Sequence, residues 1–329
     1  MTLPRRALIL AAPALLLSRG PLSGAERSPD AIADVLARAD HPELRAIVVR
    51  RDAGDPVERG YNGFTPGDPT NIKSASKSIV SALAGIAIGK GLLDGPDQPV
   101  APLLADALPE APDPRIARIT LGNLLSMQAG LERMSGPNYG AWVSSRDWVR
   151  AALAAPFVAD PGTVMLYSTA STHLVSAILT RVSRRTTLTL ARDWLGPVEG
   201  FRIDGWDRDP RGIYIGGNQM AMSTRSLAAF GELYRRGGDG IVPADWIAES
   251  WTPRTRSSFS NDGYGYCWFM RRIGGERCFY GWGYGGQMLY VLPGPGMTIA
   301  MTSNPDLPSA RTGYRDALHA LAGEIVAAA

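Results

Sequence analysis

An apolar run through Ile79, Ala82, Leu83, Ile86, Ala87 and Ile88 predicts a buried helix, headed by the polar stretch Thr70-Asn71-Ile72-Lys73-Ser74-Ala75-Ser76-Lys77. Upstream, Leu44 to Arg50 reads as a strand. Asp52 to Pro56 turns the chain, and Val57 to Tyr61 returns as the second arm of a hairpin. After Gly91 strand patterns become rare, and helices are expected over Leu121–Met127, Ser145–Leu153, Ala170–Val182, Ser223–Arg236 and Ala244–Trp251. Two long Gly- and aromatic-rich loops, Arg133 to Val143 and Arg202 to Gly217, have the length of lids or pocket walls. From Gly263 the period becomes two, giving strands at Tyr264–Met270, Arg277–Tyr280, Gln287–Leu292 and Met297–Ser303, then a last helix from about Ala310 to Ala327.

This order predicts an α+β protein, an α/β sandwich whose antiparallel sheet is built from both chain ends. The expected division is residues 26–95 with 255–329 as the α/β domain, and residues 96–254 as a mostly helical inserted domain. Residues 1–25 read as an export leader. Arg5-Arg6 supplies the positive start, Ala7 to Leu17 a short apolar core, and Ser23-Gly24-Ala25 the small residues. The expected location is periplasmic or secreted. No later segment approaches 18 uninterrupted apolar residues, so no membrane span is expected after leader removal.

Composition changes the picture at one point. The net charge of +3 is small and the arginines are scattered, which gives no support for a nucleic-acid partner. Of 34 basic residues, however, only Lys73, Lys77 and Lys90 are lysines, leaving 31 arginines. Arginine keeps its proton in proteins, whereas a buried lysine can lose it. A lysine retained at 77 therefore points to deprotonation.

Ser74 and Lys77 form the chain's S-x-x-K, and positions three apart are neighbours on one helix face. A serine hydroxyl needs a base beside it to act as a nucleophile, and a desolvated lysine amine can be that base. Tyr167 follows a Pro161-Gly162 turn and precedes a helix. There it can share a proton with Lys77 and Ser74 and protonate a leaving group. Gly281-Trp282-Gly283-Tyr284-Gly285-Gly286-Gln287 opens a strand. Its glycines, Gly283 and Gly286 among them, allow close approach of substrate, and a backbone N–H there can complete an oxyanion hole with that of Ser74. Aromatic pocket walls are expected from Tyr139, Trp142, Trp206 and Tyr214 beside Trp282. G-x-S-x-G is absent. The G-x-G-x-x-G at Gly281 to Gly286 precedes a strand, and therefore is no dinucleotide fingerprint.

Taken in order, Ser74-x-x-Lys77, Tyr167-Ser168-Thr169 and the Trp282-Gly283 turn resemble the serine β-lactamase/DD-peptidase superfamily, in its class C-like branch. Ile119 to Leu131 and Met222 to Gly231 resemble two further segments of that branch, in which the nearest likeness is to esterases and nylon-oligomer hydrolases. The resemblance runs from about Leu44 to the C-terminus. It implies the sandwich fold with a helical insert and a serine hydrolase that works through an acyl-enzyme without cofactor or metal. In the family pattern Thr169 stands where an Asn is usual, and Gly281-Trp282-Gly283 replaces Lys-Thr-Gly.

The combined expectation is hydrolysis of a small-molecule ester or amide. Ser74 attacks, Lys77 takes its proton, Tyr167 relays a proton to the leaving group, and the N–H groups of Ser74 and Tyr284 hold the oxyanion. The alternatives are a DD-peptidase or β-lactamase, and a covalently acylated sensor that does not turn over. Without a cation in the third motif, penicillins are expected to be poor substrates. Cys267 and Cys278 are the only cysteines, and a bridge between them is left open.

Overall fold

A computed structural model of the protein describes Met1 and residues 29–329, so the expected leader lies, Met1 aside, outside the described residues. The strands run in chain order as β1 (Leu44–Arg51), β2 (Val57–Gly60), β3 (Pro69–Asn71), β4 (Gly205–Trp206), β5 (Met220–Ser223) and β6 (Thr255–Arg256). They continue with β7 (Gly263–Tyr264), β8 (Phe269–Ile273), β9 (Glu276–Gly283), β10 (Gln287–Leu292) and β11 (Met297–Ser303). The helices are α1 (Pro29–Arg38), α2 (Ser76–Gly89), α3 (Leu121–Leu125), α4 (Tyr139–Val143) and α5 (Trp148–Leu153). After them come α6 (Thr169–Ser183), α7 (Thr187–Leu195), α8 (Thr224–Arg235), α9 (Ala244–Ser250) and α10 (Tyr314–Ala328).

Eight strands form one antiparallel sheet in the order β2-β1-β11-β10-β9-β8-β7-β6. Strand β1, from near the N-terminus, pairs with β11, from near the C-terminus, so both chain ends close the same sheet. Every residue of β10 and β11 is buried, which requires both faces to be covered. Neighbouring residues show how. Leu289 packs so closely on α8 that a Cβ on Gly231 would lie 2.7 Å from its side chain, while the Tyr290 hydroxyl bonds His319 of α10 at 3.0 Å. Successive side chains of a strand point to opposite faces, so α8 and α10 cover opposite sides.

Helix α2 is buried from Ser76 to Ala87, all the way round, as a helix enclosed by protein must be. It lies between the sheet, at β9, and the helical region, at α6 and α7. A small second sheet, β3-β5-β4, ties the chain just before α2 to the segment just before α8. The expected strand Tyr264–Met270 is broken. Cys267 takes a left-handed backbone (φ 64°) and divides it into β7 and β8. Cys278 consequently faces Arg271 across the ladder rather than Cys267, and both thiols are free and buried. The last helix starts at Tyr314 instead of Ala310, because residues 304–313 form a loop. Among the described residues no helix is long and apolar enough to cross a membrane.

Candidate active site

Ser74 sits in a tight turn, Lys73–Ala75, that runs directly into α2. The turn forces Lys73 into the left-handed region (φ 51°), a costly conformation for a residue with a side chain. Local bonds hold it there. Lys73 N donates to Asn71 Oδ1 at 3.0 Å, Ser76 Oγ donates to the Lys73 carbonyl at 2.7 Å, and Asn71 Nδ2 donates to Gln219 Oε1 at 2.6 Å. The pairing of β3 with β5 places the segment ending at Gln219 beside this turn.

One helical turn on, Lys77 is 1% exposed. Its Nζ bonds Ser74 Oγ at 3.0 Å, Thr169 Oγ1 at 3.2 Å and the Gly217 carbonyl at 2.7 Å. Among the described residues no carboxylate pairs with it. Burial lowers its pKa from 10.5 to about 7, opposed in part by the nearby Cys267 thiol. A neutral amine has two N–H donors and one lone pair. The Gly217 carbonyl can only accept and so takes an N–H, which favours leaving the lone pair for the Ser74 hydroxyl.

Tyr167 stands on the other side. Its ring lies 5.3 Å from Lys77 Nζ and stacks on Phe269, with Phe259 and Tyr264 at its edges. Burial pushes the phenol up, and a hydrogen bond with Ser74 only partly offsets this. The phenol therefore stays protonated at neutral pH, and Lys77 is the better base. Thr169, at the position where the resemblance implied an Asn, turns its hydroxyl to Lys77 and bonds Ser135 Oγ at 3.2 Å.

Strand β9 lies against the Ser74 turn. A Cβ on Gly283 would sit 2.2 Å from the Ile72 carbonyl, and one on Gly281 would sit 3.2 Å from Ser78 Oγ. These glycines thus admit the Ser74 turn, where the sequence suggested room for substrate. Gly286 (φ 94°) serves packing too, since a Cβ there would meet Leu318 and Tyr314. Gln287 pins the turn from behind: its side chain donates to the Ser303 carbonyl at 2.9 Å and accepts from Ser303 N at 3.0 Å. Among the described residues, the backbone N–H groups of Ser74 and Tyr284 have no acceptor within the protein.

A cavity of about 1230 Å³ opens over Ser74. Tyr139, Tyr167, Trp282 and Tyr284 line it, with Phe259 at its edge. Trp142, Trp206 and Tyr214 do not. Trp142 is 2% exposed and packs on Trp148 and His173, while the Trp206 indole donates to the Ile215 carbonyl beside the Tyr214 ring. Of the aromatics in the two long loops, Tyr139 forms wall, while Trp142, Trp206 and Tyr214 fold inward and anchor the loops. Several wall residues had escaped sequence reading, polar ones among them. Asn218 presents a carboxamide bonded to the Tyr139 hydroxyl at 2.8 Å, and Ser135 and Ser309 join it. The Gly216-Gly217 pair preceding Asn218 was the available signal for a loop under close approach.

Among the described residues, cations also line the cavity. Lys73, Arg133, Arg311 and Arg315 all line it, against the single acid Asp316, which pairs with Arg315 at 2.9 Å. Arg315 also lies 5.2 Å over the Trp282 ring. Among the described residues no cluster of His, Cys, Asp and Glu is arranged to hold a metal ion.

A family model for beta-lactamase matches residues 30–324. The chain belongs to the beta-lactamase family. Among solved structures it is similar to a protein assigned as a 6-aminohexanoate-dimer hydrolase from Bacillus anthracis. That pair is 19% identical with a TM-score of 0.70, over 86% of this chain and 78% of the other. A penicillin-binding protein homologue from Caulobacter crescentus is 19% identical with a TM-score of 0.69, over 91% and 97%. A D-stereospecific amidohydrolase from Streptomyces sp. is 17% identical with a TM-score of 0.63, over 84% and 92%. At these identities the likeness shows the fold. No curated protein sequence matches. The beta-lactamase-family chain is a serine hydrolase, with an antiparallel sheet and helices as its α+β frame.

Proposed function

We propose that this hydrolase cleaves a carboxylic ester or amide that carries an anionic group, through an acyl-enzyme on Ser74. The observation that carries the reading is the Lys77 amine, fully buried, 3.0 Å from Ser74 Oγ and lowered to about 7. Lys77 removes the Ser74 proton as the oxygen attacks the carbonyl carbon. The N–H groups of Ser74 and Tyr284 receive the developing oxyanion. The Tyr167 hydroxyl, kept neutral by burial, passes a proton to the departing oxygen or nitrogen and takes back the one that Lys77 removed from Ser74. Water then attacks the acyl-enzyme with the proton flow reversed.

The substrate's charge follows from the wall. Three arginines and Lys73 face a cavity with one acid, so an anion gains bonds there that a neutral group does not. Tyr139, Trp282 and Tyr284 offer apolar area for the remainder. These cations also support the second reading, a DD-peptidase or β-lactamase, whose substrates present a carboxylate. The leader at residues 1–25 supports action outside the cytoplasm.

The test is a matched pair of activated esters, p-nitrophenyl glutarate monoester and p-nitrophenyl butyrate, with a chromogenic cephalosporin alongside. The reading expects the glutarate ester to have a kcat/KM higher by on the order of tenfold. Preference for the butyrate would refute the anionic substrate, and dominance of the cephalosporin would select the β-lactamase reading. A burst without turnover on all three would select the acylated sensor.

A further inference from the structure

Helix α6 grips the loop that carries Gly217 through consecutive turns. Thr172 Oγ1 donates to the Gly216 carbonyl at 2.8 Å, and Ser176 Oγ donates to the Tyr214 carbonyl at 2.7 Å. Between them lies His173, whose Nδ1 is 3.4 Å from Gly216 N and whose Nε2 is 3.0 Å from Asp209 Oδ2. Both side chains are wholly buried, and the indoles of Trp142 and Trp148 pack at 5.6 Å from the imidazole. The other oxygen, Asp209 Oδ1, accepts from Arg211 N at 2.9 Å and Ile213 N at 2.8 Å.

These bonds determine where the imidazole proton sits. Two backbone N–H groups on Oδ1 and the imidazole facing Oδ2 are the surroundings that favour an ionised Asp209 carboxylate. A carboxylate can only accept, so His173 Nε2 must carry a hydrogen. Gly216 N can only donate, so Nδ1 must be the bare lone pair. The ring is therefore the neutral Nε2–H tautomer, with each end fixed by a partner of one kind.

We propose that His173 and Asp209 are a positioning pair for catalysis: they fix Gly216 so that the Gly217 carbonyl holds the Lys77 amine with its lone pair toward Ser74. An unbroken chain of contacts links the two, Asp209 to His173 to Gly216, then Gly217 to Lys77 to Ser74. Neither residue touches the cavity, so neither contacts substrate. The inference rests on Lys77 being the base.

The decisive variant is Asp209→Asn, which keeps the shape. Arg211 N and Ile213 N both need an acceptor at the Oδ1 position, so the new NH2 must face His173. Nε2 becomes the acceptor, the ring proton moves to Nδ1, and Nδ1–H meets Gly216 N–H, donor against donor. The expected result is a kcat on p-nitrophenyl esters lower by on the order of 10- to 100-fold, the scale of a small misplacement, with KM within about twofold. The acid limb of the rate should also move to lower pH, because the Lys77 ammonium loses an acceptor. The other groups facing that ammonium, the Ser74 and Thr169 hydroxyls, the Tyr167 ring and the Cys267 thiol, are unchanged.

Imidazole nitrogen NMR of the whole protein supplies the readout that a packing role would not move. It should show His173 as Nε2–H in the wild type and as Nδ1–H in Asp209→Asn. His173→Asn, which restores an acceptor near the Nδ1 position, should keep several-fold more activity than His173→Leu, and these two decide the case if Asp209→Asn does not fold. A wild-type Nδ1–H or doubly protonated ring, or an Asp209→Asn enzyme with unchanged kcat and pH midpoint, would overturn the proposal. Activity in Lys77→Arg would instead remove the base reading on which it stands.

Discussion

The Gly217 carbonyl oxygen lies 2.7 Å from Lys77 Nζ, and the Gly217 α-carbon lies so close to the same side chain that nothing larger fits. A Cβ there would be 2.4 Å from Lys77 Cγ and 2.6 Å from Thr172 Oγ1, on a backbone with φ of 87°. Glycine is thus required twice, by space and by conformation. The bond it permits is the shortest that Lys77 Nζ makes.

Gly217→Ala should therefore damage stability and chemistry together. A strained positive φ and a sub-van-der-Waals contact together should cost about 2–4 kcal/mol, read by urea denaturation. The ester kcat should fall by on the order of 10²-fold through displacement of Lys77. An alanine enzyme with normal kcat would show that the carbonyl does not orient the amine.

Tyr167→Phe separates the hydroxyl from the ring. The phenyl ring keeps its stacking on Phe269 and its edge contacts, so the melting temperature should change little. The lost proton relay should lower kcat/KM by on the order of 10²-fold for an amide or alkyl ester. The loss should be several-fold smaller for p-nitrophenyl esters, whose leaving group needs no proton. Equal losses on both would assign Tyr167 a different role.

Much of this was legible in the chain because it follows from local patterns. Strand patterning between Gly/Pro turns marked β10 and β11 to the residue, and the scarcity of lysine marked Lys77. What could not be read depends on contacts made across long separations. Gly217 reaches Lys77 because β3 pairs with β5 and α6 grips the loop, and Trp142 looked like a pocket wall because burial is not a property of a loop's composition. Arg311 was hidden inside an expected helix that in fact begins at Tyr314. Cys267 interrupts a strand with a left-handed residue that no strand pattern announces.

The arginines make a separate prediction. Arg311→Ala and Arg133→Ala should each lower kcat/KM for p-nitrophenyl glutarate monoester by several-fold to tenfold and leave the butyrate ester unchanged. Raised salt should weaken the wild-type preference in the same direction, because these side chains face an open cavity. Equal effects on both esters would remove the electrostatic explanation.

Lys77 also links stability to pH. Its pKa is about 7 in the folded chain against an ordinary 10.5. Between those values the unfolded chain binds more protons, so this residue makes stability rise with pH across that window, and its penalty is complete below about pH 7. Lys77→Met should consequently be more stable than wild type at pH 7, by roughly 2 kcal/mol or more, with the gap closing toward pH 10.5. Denaturation curves at pH 6.5, 8 and 9.5 measure it. A gap independent of pH would mean that Lys77 keeps its proton in the folded protein.

The most direct test of the site is the rate at which a fluorophosphonate labels Ser74, followed by mass spectrometry as a function of pH. The labelling rate should rise with pH through a single midpoint near 7, as Lys77 loses its proton, and the label should map to Ser74. Lys77→Arg keeps the charge without the basicity, and should lower the rate by on the order of 10²-fold or more. Label on another serine, or an unchanged rate and pH profile in Lys77→Arg, would contradict the pairing of Ser74 with Lys77.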